Sequence, residues 1–214
     1  MLGVIAGDIV GSVYERRAAK HVDFPLFGIA SRFTDDTVLT VATAHALLHG
    51  VPYPEAYHAY GRRYPNAGYG AAFRQWLRSE ERQPYGSWGN GAAMRVGPIG
   101  WAATSLEQVL AEAERSAAAT HDHPEGVRGA QAVALAIYLA RQGAAKEELR
   151  RAVSERMGYD RSRTVENRRP SYRLDGSRKG AGTEERSACL HRNGGECATR
   201  TGNTRRGEAG SKGG

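Results

Sequence analysis

Thr34, Asp35 and Asp36 place a hydroxyl and two carboxylates on three consecutive residues, just ahead of the apolar run 38–48. Hard oxygen donors of this kind suit Mg²⁺ or Mn²⁺, and carboxylates are favoured at the mouth of a helix. The same triplet also serves ordinary helix initiation, with Thr34 as N-cap and the two acids in the first turn. The other chemistry-bearing clusters weigh between these readings.

Gly86, Ser87, Trp88, Gly89, Asn90 and Gly91 form a glycine-rich stretch whose backbone N–H groups can approach an anionic ligand closely. His121, Asp122 and His123 precede Pro124, Glu125 and Gly126. His121 and His123 lie two apart and a helix opening near Pro124 does not align them, so hydrogen bonding to a ligand or to the neighbouring Asp is favoured over metal ligation. Glu15 closes the first segment and is free to point into a cleft. Asp8 lies among apolar neighbours and needs a partner if it is buried.

The elements that must position these groups are helical. Val38, Val41, Ala42, His45 and Leu48 follow helical spacing. Ser105 with Gln108 three residues on reads as a capping box for a helix bearing Leu106, Val109, Leu110 and Ala113. Residues 130–138 mark another helix, closed by Gly143, and residues 146–157 a further one, with Leu149 and Val153 facing inward and Gly158 at its end. Residues 92–101 suggest a helix interrupted at Gly97-Pro98. In the first segment Gly3, Gly7 and Gly11 recur every four residues. Each costs a helix roughly 1 kcal/mol relative to Ala, which predicts a smooth face for close approach of a second helix. No alternating stretch marks a strand, so the fold class is all-α.

Charge and hydropathy divide the chain. Residues 1–160 carry 17 Lys and Arg against 17 Asp and Glu, while residues 161–214 carry 13 against 6 and so account for the whole net charge of +7. From Gly176 onward the only large apolar side chain is Leu190, and ten of 39 residues are Gly. That composition predicts a helical domain over 1–175 and a disordered basic tail over 176–214. No aromatic residue beyond Tyr172 is present to stack a base, which argues against a nucleic-acid-binding arm. Cys189 and Cys197, both in the tail, lack the second pair of a zinc site. The domain has no cysteine, the N-terminus has no basic n-region, and no run is long enough to span a membrane. A soluble cytoplasmic protein is the expectation.

Taken in order, the clusters resemble the ADP-ribosylglycohydrolase family, which includes the dinitrogenase reductase activating glycohydrolases. The resemblance rests on Gly7-Asp8-Ile9-Val10-Gly11-Ser12 with Glu15, on Phe33-Thr34-Asp35-Asp36-Thr37, on Gly89-Asn90-Gly91-Ala92-Ala93-Met94-Arg95, and on Thr120-His121 with Pro124-Glu125-Gly126. A weaker piece is Arg169-Pro170-Ser171-Tyr172-Arg173-Leu174-Asp175. It implies an all-α fold with two Mg²⁺ ions (Mn²⁺ in some members) that hydrolyses the bond between ADP-ribose and a protein side chain or small acceptor. By position, Thr34, Asp35 and Asp36 would be metal ligands, with both acids also counted as catalytic. Glu15 would orient water or the scissile linkage, the 86–91 loop would approach the diphosphate and ribose, and His121 would line the same cleft.

One departure stands out. The family completes its metal site near the C-terminus with a Gly-Gly-Asp-x-Asp-Thr segment, whereas here no Asp follows Asp175 and Gly194-Gly195 leads into Glu196-Cys197. The expectation is a truncated or frameshifted end and impaired turnover. Two alternatives accompany it: a catalytically silent ADP-ribose- or nucleotide-binding module, and a crystallin-like structural relative.

Overall fold

The computed structural model describes residues 2–15 and 23–160. The weak 169–175 match, the tail and both cysteines lie outside the described residues. Eight helices make up the architecture, with no strand among the described residues: α1 Leu2–Gly11, α2 Asp35–His49, α3 Tyr53–Arg63, α4 Ala71–Arg78, α5 Gly97–Ala102, α6 Leu106–Ala118, α7 Pro124–Arg141 and α8 Lys146–Met157. The all-α reading holds. No helix among the described residues is long and apolar enough to cross a membrane.

The long α7 organises the packing, lying against α5, α6 and α8, while α2 lies against α3 and α5. Alanines let these helices approach: Ala113 and Ala117 of α6 and Ala130 and Ala134 of α7 are fully buried. A close approach is at Gly100 of α5, where a Cβ would come within 2.7 Å of the Ala134 carbonyl and of Ile137. The sequence reading put such an approach at Gly3, Gly7 and Gly11, and no described residue makes it. A Cβ at any of those three meets nothing within 4 Å among the described residues, and α1 buries no residue.

Sequence signals at the helix ends are met with one adjustment. The Ser105 hydroxyl accepts from the Gln108 N–H at 3.2 Å, but the Gln108 side chain reaches back one residue further, accepting from the N–H and hydroxyl of Thr104. Gly143 and Gly158 take left-handed φ values of 87° and 70° just beyond α7 and α8. In α8 Leu149 and Val153 are only half-buried, and Met157 is the residue that reaches the core. Gly97-Pro98 starts α5 rather than interrupting a longer helix, because proline's fixed φ and missing N–H suit a first turn. A buried chain of hydroxyls, Thr43 to Tyr57 at 3.0 Å and Tyr57 to Ser116 at 2.7 Å, ties α2, α3 and α6 together.

Candidate functional site

Asp8 finds the partners its environment demands. Its Oδ2 accepts from the Thr34 N–H (2.7 Å), the Thr37 N–H (3.1 Å) and the Thr37 hydroxyl (2.5 Å), while Oδ1 accepts from the Thr34 hydroxyl at 2.6 Å. Four donors from the mouth of α2 therefore close on one carboxylate of α1. Ser12 adds a stitch, accepting from the Arg32 N–H at 3.1 Å. The Thr34 proton is committed to Asp8, which turns the lone pairs of Oγ1 away from it. One meets the Asp36 N–H at 3.4 Å, a long bond for an N-cap.

Beside this pin the two aspartates are electrostatically strained. Burial, then the Asp36 charge, then Glu15 and Asp8 push the Asp35 carboxyl up to about 6. Asp36 is raised as well, by burial first and then by Asp8 and Glu15. Glu15 is exposed and acts on both, so the structure gathers Glu15, Thr34, Asp35 and Asp36 as the sequence reading grouped them. Sequence reasoning missed a neighbour. Gly68, at φ 107°, would bring a Cβ within 3.5 Å of Asp35 Oδ1, and the buried Tyr69 next to it has a hydroxyl without a hydrogen-bond partner. Burial and the Asp35 charge both raise that phenol's pKa.

The donor set fits one side of a hard divalent-cation site. It offers carboxylates and an oriented hydroxyl, and the ion pairs among the described residues, Arg115–Glu112 and Arg128–Glu125, lie elsewhere. No three His, Cys, Asp or Glu side chains among the described residues close into a cage. Mg²⁺ binds without a dedicated cage, through one or two carboxylates and retained waters.

The glycine-rich loop forms a second cluster. Gly86 turns at φ 68°, Ser87 is buried, and the Ser87 hydroxyl accepts from the Gly89 N–H at 3.4 Å. The Trp88 ring lies 5.0 Å from that of His123, while Asn90 is exposed. The Gly91 N–H meets no acceptor among the described residues. His121 sits beneath the loop, 2% exposed, rather than on an open cleft wall. Its Nε2 is 3.2 Å from the Gly89 carbonyl, its Nδ1 2.8 Å from the Thr120 hydroxyl. Burial first, then the nearby Arg95 charge, lower its pKa to about 3, so the ring is neutral at physiological pH. The link between the clusters is the Thr40 hydroxyl of α2, which donates to the Met94 carbonyl at 3.4 Å. Depressions of about 300 and 370 Å³ lie elsewhere, the first beside His45 and His58, the second between α7 and α8, and neither touches a residue of these clusters.

Fold and site together define an all-helical protein with an oxygen-rich acidic helix mouth and a hydrogen-bonded glycine loop. The profile of the ADP-ribosylglycohydrolase family matches residues 1–201, and the chain belongs to that family. Its sequence is similar to the ADP-ribosylhydrolase ARH3 of Mus musculus and of Bos taurus, each 32% identical over 183 residues. The Homo sapiens ARH3 is 31% identical over 183 residues. Each comparison covers 69% of this chain and 50% of the relative, so the chain spans about half the length of the curated relatives it matches.

Proposed function

We propose that this chain carries the first half of the active site of a metal-assisted hydrolase that cleaves ADP-ribose from its acceptor. The observation that carries the reading is the acidic mouth of α2, where burial first, and then the charges of Asp36, Glu15 and Asp8, lift Asp35 to about 6. A divalent cation relieves such repulsion, and Thr34, Asp35 and Asp36 would hold it. When bound, Mg²⁺ or Mn²⁺ supplies Lewis-acid polarisation of the ribose oxygens and of a water. Glu15, the exposed carboxylate of the group, takes the water's proton while the water's oxygen joins the anomeric carbon. The bond to the acceptor breaks, and the acceptor leaves with a proton, which balances the hydrolysis. Asp35 and Asp36 add negative charge that favours the oxocarbenium-like transition state. The 86–91 loop, with the free Gly91 N–H, receives the diphosphate. The substrate class is an ADP-ribosylated protein or an ADP-ribose-containing metabolite.

No Asp follows Asp175 in this sequence, so the Asp-x-Asp-Thr segment that the family resemblance implies is absent from it. On that ground the proposal includes weak ion binding and slow turnover for the 214-residue chain. A second reading, an ADP-ribose-binding module without turnover, is favoured by the 86–91 loop, whose support from His121 involves no carboxylate of the metal cluster.

The test is calorimetry of the full chain with Mg²⁺, Mn²⁺ and ADP-ribose, beside turnover of an ADP-ribosylated peptide. A T34A/D35A/D36A triple variant is the control. We expect ADP-ribose binding, weak ion binding lost in the triple variant, and turnover indistinguishable from that variant. Turnover clearly above the control overturns the impairment; absence of ADP-ribose binding overturns the substrate class.

A further inference from the structure

Arg95 is a buried cation, 1% exposed, with no carboxylate against it among the described residues. Its guanidinium carbon lies 4.0 Å over the Tyr57 ring, and Nη2 donates to the Ser116 carbonyl at 2.7 Å and to the Thr120 hydroxyl at 2.9 Å. Burying an arginine in this way is expensive, so the hydrogen bonds it makes are the place to look for its purpose.

Counting donors fixes every proton in the chain of contacts that follows. Arginine has no acceptor, so Thr120 Oγ1 must accept from Arg95. The Thr120 proton is then free for the one further neighbour the described residues offer, His121 Nδ1 at 2.8 Å, wherever that nitrogen presents a lone pair. At the other end of the ring the Gly89 carbonyl is only an acceptor, so His121 Nε2, 3.2 Å away, must carry the hydrogen. A doubly protonated ring would face the Arg95 charge in a site without counter-charge. The ring also has no room to swing. A Cβ at Gly91 would lie 3.4 Å from Cε1, and one at Gly126 would lie 3.0 Å from Cδ2 and from the Ser87 carbonyl.

We propose that Arg95, Thr120 and His121 form a positioning relay. It locks His121 as the neutral Nε2–H tautomer, and that hydrogen holds the Gly89 carbonyl inward and so sets the shape of the 86–91 loop. His121 takes no part in proton transfer. The consequence for ligand binding rests on the reading of that loop as the diphosphate cradle. With the Gly89 carbonyl drawn under the loop, the acceptor that would repel a phosphate is removed and the following N–H groups are left to meet it. The relay is built before the ligand arrives, which lowers the ordering cost of binding.

The tautomer is read by long-range ¹H–¹⁵N spectra of the full-length chain, with the His121 signal assigned by its loss in H121Q. Wild type is expected to show Nε2–H and no titration of His121 between about pH 5 and 8. In T120V the donor to Nδ1 is gone while the Gly89 carbonyl still takes the Nε2 hydrogen, so the Nδ1 resonance should shift to that of a lone pair without a hydrogen bond; T120S restores the wild-type position. ADP-ribose affinity should fall about tenfold in T120V, recover in T120S, and stay within about threefold in H121Q, whose amide nitrogen can replace Nε2 as donor. H121N, too short to reach Gly89, should lose affinity like T120V while still unfolding cooperatively in urea. A His121 that titrates near its ordinary value, or a T120V spectrum like wild type, overturns the relay. If wild type binds no ADP-ribose, the proposed ligand fails, while the tautomer measurement still decides the relay by itself.

Discussion

The acidic mouth of α2 and the Arg95–His121 assembly are built from opposite charge and solved in opposite ways. Beneath the glycine loop a buried cation is held by neutral groups, a carbonyl, a hydroxyl and a tyrosine ring, with its Nε lacking a partner among the described residues. The Thr120 hydroxyl and both His121 ring nitrogens have defined partners. At the mouth of α2, Asp8 is fully bonded but Asp35 and Asp36 repel each other and Glu15, with burial making both harder to ionise. The first region is largely closed by folding. The second keeps negative charge that no described side chain neutralises and that a proton or a bound cation would relieve, and this asymmetry separates a scaffold from a candidate site.

The strongest way to break the contrast is to remove the one finished element of the acidic region. D8N keeps the size of the side chain but replaces an oxygen that accepts up to three hydrogen bonds with a donor facing other donors. Hydrogen bonds to charged groups contribute about 1.5–3 kcal/mol and are not additive, so a loss of about 3 kcal/mol is expected. Urea unfolding should show it, with D8A about as damaging as D8N. An Asn variant near wild type would mean that the α1–α2 contact contributes little.

Part of this contrast was legible in the sequence. Thr34, Asp35 and Asp36 are read together because consecutive acids before an apolar periodic run leave few geometries, whereas Glu15 joins them only through the family resemblance. Asp8 was recognised as needing a partner, but which one depends on a contact 26 to 29 residues away that no local pattern encodes. The helices α3 and α4 escaped notice because Pro52, Pro54 and Gly70 punctuate the stretch, although Phe73, Trp76 and Leu77 bury a strong apolar face. Tyr69 carried no signal, since a lone Tyr beside Gly reads as a turn. The glycine stripe of α1 is a related case: spacing shows that a face is smooth, not what lies against it, and no described residue does. The sequence places His121 in a cleft beside the 86–91 loop, but its burial and its wiring to Thr120 are set by the α6–α7 junction.

The two regions also pull stability in opposite directions with pH. Asp35 has a folded pKa of about 6 against an ordinary 3.8, so the folded state binds more protons between those values and stability falls as pH rises through that window. His121 has a folded pKa of about 3 against an ordinary 6.5, so the unfolded state binds more protons there and stability falls as pH drops. Each full proton difference gives a slope of at most about 1.4 kcal/mol per pH unit. Asp36 shares the direction of Asp35 and His58 that of His121, so the comparison is between variants. From about pH 4 to 6, D35N should become more stable relative to wild type as pH rises, and H121Q less stable. Excess Mg²⁺ should reduce the difference between wild type and D35N by stabilising only the charged site. Parallel profiles for all three proteins would contradict both assignments.

The smallest effect concerns what holds the acidic region in place. Gly7 precedes Asp8 in α1, is exposed, and has open space where a Cβ would stand. In a helix interior, Gly→Ala without a clash gains about 0.5–1 kcal/mol, chiefly by restricting the unfolded chain. If α1 is held by its stitches at Asp8 and Ser12, G7A should stabilise the protein by that amount. Its effect should add to that of D8N, because the alanine touches neither Thr34 nor Thr37. A loss of stability in G7A would place a neighbour against the smooth face, from the chain beyond the described residues or from a second copy. The α1 anchor would then be shared, the D8N penalty should shrink, and the two effects would no longer add. Additivity in the double variant is therefore the reading that separates a helix pinned by one carboxylate from a helix packed on both sides.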